Sequence, residues 1–153
     1  MVELVLPNDA NTQGNVLGGR VLHWIDLAAA IVAHRHCRTE TVTVSLDQMS
    51  FLAPIKIGQL ALIAARMTFT GRTSMEIRVD VQAEDLLTGE RRQTSTAYLT
   101  FVAIDKQGRP ATVPPLLLET DEDRREWREA EGRRAARLKA RQGTPPTRES
   151  IHQ

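Results

Sequence analysis

Apolar residues in the first two thirds of the chain fall into two patterns. Between Val21 and Ala33 the run VLHWIDLAAAIVA has almost no polar break; Gly18-Gly19 opens it, and it predicts a helix from Gly18 to about His36. From Thr41 the period shortens. Val42, Val44 and Leu46, then Met49 to Leu52, form a strand that Pro54 and Gly58 close. Leu60 to Phe69 is a second strand, with a turn at Gly71-Arg72. Met75, Ile77, Val79 and Val81 alternate with Glu76, Arg78 and Asp80, the pattern of a half-buried strand. A hairpin signal at Leu87-Thr-Gly-Glu90 leads into Thr94 to Ile104, the last long strand. A short strand, Val2 to Leu6, precedes all of these and ends at Pro7, which supplies no N–H to a ladder.

Strands that follow one another through short turns pair antiparallel, so one long helix with this sheet predicts an α+β domain. A single sheet covers one side of a helix, yet this helix is apolar nearly all round. A second copy of the chain is the economical cover for the remainder. The same helix carries one carboxylate, Asp26, at its centre. A carboxylate buried without partners is costly enough that Asp26 demands an explanation.

Residues Glu119 to Arg141 depart from this pattern. Acids gather early and bases late, an order that complements a helix dipole and supplies i, i+4 pairs, so a solvated charged helix is expected. The expected organisation is one domain over residues 1–115, a helical extension over 116–142 and a flexible tail over 143–153. Twenty Lys and Arg against 19 Asp and Glu leave a formal charge of +1, which argues against a nucleic-acid or membrane partner. The lone cysteine, Cys37, excludes an internal disulfide framework and fits a reducing compartment. With no secretory signal pattern and no apolar run of the ~18 residues a bilayer span needs, a cytoplasmic location is expected.

Two features could carry chemistry. The first turn of a helix offers backbone N–H groups without internal acceptors, at the end its dipole makes favourable to negative charge. Gly18 and Gly19 would let a carbonyl approach those groups, as in an oxyanion hole, although glycines also serve there as packing or capping devices. Asp26 lies eight residues further along, about 12 Å at a rise of ~1.5 Å per residue, too far to act on the same carbonyl. Two such helices packed antiparallel across a dimer would set the Asp26 of one against the Gly18 end of the other. The alternative is that Asp26 merely bonds Arg or His neighbours. His23, one turn earlier, could form a couple or a metal pair with it, but no third ligand stands at workable spacing and no metal is expected. No Gly-x-Ser-x-Gly elbow, Walker loop or dinucleotide fingerprint occurs.

The run Asn11-x-x-Gly14-x-x-x-Gly18-Gly19, followed by Trp24-Ile-Asp26 and an Ala-rich helix, resembles the hotdog-fold acyl-CoA thioesterases, particularly the cytosolic long-chain or brain acyl-CoA hydrolase group and its bacterial relatives. The resemblance continues through Val42 to Asp47, Met67 to Ile77 and Phe101 to Pro110. It implies a long central helix wrapped by a curved antiparallel sheet, and hydrolysis of fatty acyl-CoA to free acid and CoA. Asp26 would be general base or nucleophile, Asn11 of the opposing subunit would position water or thioester, and Gly18, with Gly19 beside it, would hold the thioester oxygen. Asn15 falls in the same loop, and Leu17 departs from the His that many relatives carry there. Arg72, Thr73 and Ser74 resemble the turn that meets CoA; Arg72 suits phosphate, though a plain strand turn reads equally well. No cofactor is implied, CoA being part of substrate and product. The implied assembly is a homo-oligomer, a dimer at least and in the family a trimer of dimers. A hydratase or dehydratase acting on acyl-CoA, or a noncatalytic acyl-CoA binding module, are the alternatives.

Overall fold

The computed structural model describes residues 1–143; the segment read as a flexible tail lies, apart from Gly143, outside the described residues. The chain divides into two compact units, Met1–Leu117 and the residues from Leu118 onward.

The first unit is a five-stranded antiparallel sheet with one long helix against it. β1 is Val2–Leu4, α1 is Gly18–Cys37, β2 is Glu40–Phe51, β3 is Leu60–Thr70, β4 is Ser74–Glu84 and β5 is Arg91–Ile104. The spatial order is β1-β3-β4-β5-β2, so β1 and β2 are the two edges. Register slips between Thr43 and Ser45, Asp47 and Ser50, Met67 and Phe69, and Val81 and Gln82 mark bulges, which add twist and let the sheet curve around a helix.

The helix docks by one face. Val21, Trp24, Ile25, Ala28, Ala29, Ala33 and Cys37 are buried, spaced three and four apart so that they form one stripe. They meet Ile63, Met75, Ile77, Val79, Val81, Leu99 and Phe101 in the core. α1 ends where Arg38 turns left-handed, φ 56°, and its N–H closes on the His34 carbonyl at 2.8 Å.

Several expectations shift. β1 stops at Leu4 rather than Leu6, because Val5 leaves the ladder: its N–H bonds Gln59 O at 3.0 Å and its carbonyl accepts from Gly58. β5 begins at Arg91, earlier than Thr94, since Arg91, Arg92 and Gln93 pair with Glu84, Ala83 and Gln82 despite their polarity. On β4 the alternation holds, but Glu76 is buried too, with Thr68 Oγ1 donating to its Oε1 at 2.6 Å. The largest shift concerns α1. The sheet covers one stripe only, and Leu22, Leu27 and Ile31 stay open to solvent. Asp26 lies on that open side, so it is exposed in the single chain rather than buried.

The second unit holds α2, Asp121–Gln142. Thr120 caps it: Asp123 N–H donates to Thr120 Oγ1 at 3.0 Å, and the Asp123 carboxylate accepts from the Thr120 N–H at 3.0 Å. Arg124 pairs with Asp121 at 2.9 Å and Arg125 with Glu122 at 3.4 Å, both at i, i+3 rather than the expected i, i+4. Among the described residues no helix is long and apolar enough to cross a membrane.

Candidate active site

The loop before α1 is fixed mainly by its own backbone and by one side chain. Asn11 N–H bonds Asn15 O at 2.8 Å, Gly14 N–H bonds Asn11 O at 3.0 Å, and Gly14 takes φ +80°, where a side chain would be strained. Asn11 Oδ1 accepts from the N–H groups of Gln13 and Asn15, at 3.0 and 3.1 Å. Its amide nitrogen has no partner among the described residues. Arg20 clamps the loop to the helix through Asp9 at 3.1 Å, and Leu17 N–H bonds Asp9 O at 2.8 Å.

α1 therefore starts at Gly18 with its entry fixed and its end open. Leu17 at the N-cap offers no side-chain acceptor, and the first N–H in the helix to find a carbonyl is that of Arg20. Nothing in the fold demands glycine at either following position. A Cβ on Gly18 would meet only Phe51 Cζ at 3.6 Å, an ordinary contact, and one on Gly19 would meet nothing within 4 Å. Both positions are therefore open, with room for another group to approach the backbone. Beside Gly18 opens a pocket of about 220 Å³, whose wall includes Val21, Phe51, Ile55 and Ser95.

Asp26 stands elsewhere. Thr43 Oγ1 on β2 donates to Asp26 Oδ1 at 2.8 Å, and no hydrogen bond joins His23 to Asp26. Thr43 had no distinguishing signal in the sequence, being one threonine in a β-branched strand. Its partner Phe101 on β5 points into the core, which places Thr43 on the helix-facing side. Beside the pair lies uncovered apolar surface: Leu22 and Leu27 from α1 and Leu46 from the edge strand β2. A long edge strand beside exposed leucines is a surface that isolated chains rarely leave open.

The turn bearing Arg72, Thr73 and Ser74 joins β3 to β4, closed by Gly71 N–H to Ser74 O at 2.8 Å. Ser74 pairs with Val102, while the Gly18 end lies beside Phe51, which pairs with Ser95. Seven residues of strand, about 23 Å at ~3.3 Å each, separate those levels, so one chain does not bring the turn to Gly18. Nor does it bring Asp26 to Gly18. Asn11, Asn15, Gly18 and Gly19 gather at one place and Asp26 and Thr43 at a second; the Arg72 turn lies at the Thr43 end of the sheet, since Met75 and Thr43 both pair with Phe101.

A larger groove of about 590 Å³ runs on the sheet face away from α1, beside Arg78, Asp80, Gln93 and Thr96. Its polar groups already serve one another: Asp80 takes two bonds from Arg78, and its Oδ1 also accepts from Thr96 Oγ1 at 2.8 Å. Among the described residues no group of three or more His, Cys, Asp or Glu side chains is placed to hold a metal.

Residues 13–90 match the Thioesterase superfamily. The chain belongs to that superfamily. It is 44% identical over 119 residues to an uncharacterized acyl-CoA thioester hydrolase, YkhA, of Bacillus subtilis, covering 78% of this chain and 69% of that protein. It is also 37% identical to the cytosolic acyl coenzyme A thioester hydrolase of Rattus norvegicus; that match takes in 94% of this chain but spans only 38% of the rat protein. Among solved structures, an apo-hexameric acyl-CoA thioesterase superposes with TM-score 0.89 at 39% identity, over 94% of this chain and 92% of that one. An acyl-CoA hydrolase from Staphylococcus aureus, solved with butyryl coenzyme A and coenzyme A, gives 0.82 at 33% identity, over 93% and 89%. That enzyme has also been solved with Ala replacing an Asn, an Asp and a Thr, in this order along its chain and 15 and 17 positions apart. Asn11, Asp26 and Thr43 have the same order and the same separations.

Proposed function

We propose that this superfamily member hydrolyses acyl-CoA thioesters at a composite site, to which one copy of the chain brings Asp26 and Thr43 and a second brings Asn11 and the Gly18 end of α1. The observation that carries this reading is the separation of two half-sites within one chain. A fixed carboxylate sits on an uncovered apolar face, and a helix end with free N–H groups lies too far along the same helix to act on the same thioester carbonyl. An antiparallel pairing of two α1 helices, with β2 edges side by side, covers that apolar face and brings each Asp26 to the other chain's Gly18.

In such a site the thioester oxygen rests on the Gly18 N–H, which strengthens its hold as negative charge develops on that oxygen. Thr43 occupies Asp26 Oδ1 and leaves Oδ2 for a water, from which Asp26 removes the proton as the water attacks the thioester carbon. The carbon–sulfur bond then breaks and CoA leaves as its thiolate, a good leaving group that takes up a proton from solvent. The partner's free Asn11 amide nitrogen donates to the water or the thioester. Arg72, Thr73 and Ser74, whose side chains bond nothing among the described residues, supply the CoA contact; in their own chain they do not reach Gly18. A hexamer, the state named for a solved relative, would offer further chains from which that contact can also come.

The reading rests on the superfamily membership, on relatives named as acyl-CoA hydrolases and on the spacing shared with the S. aureus variants. A thiol-release assay across saturated acyl-CoAs from two to sixteen carbons tests it. Release that follows the folded oligomer and disappears in Asp26→Asn supports hydrolysis. Absence of release from every chain length sinks it.

A further inference from the structure

Ser95 poses a problem that the reading above does not absorb. It is 1% exposed, and its Oγ is buried with no hydrogen-bond partner. Neighbouring Thr94 solves the same problem locally by donating to Val81 O at 3.0 Å. An unmet buried hydroxyl costs about 1–3 kcal/mol, and native interiors carry few of them. Ser95 pairs with Phe51 on β2 and Val81 on β4. It lies on the same side of β5 as Ala97, Leu99 and Phe101, facing α1. On that side it forms part of the wall of the pocket that Gly18 borders.

The surroundings define what would satisfy it. Val21, Phe51 and Ile55 make the pocket mainly apolar, which suits a hydrocarbon segment. At about 220 Å³ the pocket has room for the part of an acyl group next to the thioester. A plain hydrocarbon would leave Ser95 as unmet as it is now. An acyl group bearing an oxygen close to the thioester would meet it, because a serine hydroxyl both donates and accepts.

Resting on the hydrolase reading, we infer that Ser95 is a specificity-determining residue, and that the pocket beside Gly18 selects acyl groups carrying a hydroxyl or oxo substituent near the thioester over unsubstituted groups of equal length. A site with a buried hydrogen-bonding group discriminates against a ligand that leaves the group unpaired, whereas an apolar pocket discriminates weakly against an added hydroxyl. The preference therefore belongs to one side chain.

The test compares β-hydroxybutyryl-CoA, acetoacetyl-CoA and butyryl-CoA on the intact oligomer, with Ser95→Ala and Ser95→Thr. Two ratios are read: kcat/KM for oxygenated against plain substrate, and Kd for the same pairs in an Asp26→Asn background, where turnover is blocked. Both are ratios within one variant, so a loss of folded protein cancels. The wild-type pocket favours an oxygenated group by about tenfold or more. Ser95→Ala brings both ratios to about one, chiefly by improving butyryl, and Ser95→Thr, which keeps the hydroxyl, retains the preference. Wild-type ratios near one, or ratios that Ser95→Ala leaves unchanged, overturn the inference. Failure of the hydrolase reading shows differently: no thiol is released from any acyl-CoA, while the Kd ratios still report on Ser95.

Discussion

Thr43 Oγ1 donates to Asp26 Oδ1 at 2.8 Å, joining the edge strand to the open face of the helix. The bond fixes the carboxylate without using both its oxygens. A hydrogen bond to a charged group is worth about 1.5–3 kcal/mol, so Thr43→Val, nearly equal in shape, should lower kcat by roughly tenfold to a hundredfold. Asp26→Asn keeps the bond's geometry and removes the base, and should cost about a thousandfold or more. Both variants should match the wild type in sedimentation and circular dichroism. Wild-type turnover by Asp26→Asn refutes the assignment.

Asn11 has two jobs that substitution can separate. Its oxygen holds the Gln13 and Asn15 amides, and its nitrogen is free for the partner's half-site. Asn11→Asp keeps an acceptor for the loop and loses the donor, so activity should fall at least tenfold with the loop's amide chemical shifts little changed. Mixing it with Asp26→Ala under subunit exchange should restore activity. Half the dimers are then mixed and half of their sites intact, which gives about a quarter of the wild-type rate. No recovery after exchange is verified would show that the two groups act within one chain.

Much of this layout is legible along the chain, and the unreadable parts share a cause. The run Val21–Ala33 and the alternation of Met75 to Val81 appear as α1 and β4, because periodicity reports which face an element buries. The start of β5 at Arg91-Arg92-Gln93 escapes, since an exposed strand end pairs through its backbone whatever its side chains. Asp26 reads as a buried charge because composition does not say what covers a helix, and the sheet covers one stripe of α1. Thr43 and Ser95 are ordinary strand residues until the fold sets one against Asp26 and the other beside Gly18.

Acid should loosen the start of α2 through Asp123. The backbone N–H groups of Thr120 and Glu119, with the Thr120 side chain, hold its carboxyl below the usual carboxylate range. A carboxyl whose folded value is depressed stabilises above its unfolded value, and that contribution disappears as pH falls through the folded one. Backbone carbon chemical shifts of residues 119–124 should therefore move toward coil only below the ordinary aspartate range. Asp123→Ala should show the frayed shifts already at neutral pH. Shifts insensitive to both changes would remove the capping role.

The apolar face around Asp26 should be an interface between copies of the chain, and charge placed there should separate them. Leu27 and Leu46 are 44% and 43% exposed on α1 and β2, and burying what remains of each gains roughly 1 kcal/mol. A two-fold contact presents each residue twice, so Leu27→Lys or Leu46→Lys imposes its penalty on both sides. Either variant should sediment as a monomer that retains its helix content and should lose hydrolysis by more than a hundredfold, since no Gly18 end then reaches Asp26. Leu87→Lys is the control: Leu87 is 98% exposed on the turn between β4 and β5, away from Asp26, and its replacement should leave the dimer intact. A fully active monomer from Leu27→Lys would mean that one chain assembles the whole site, contrary to the separation of Asp26 from Gly18 along α1.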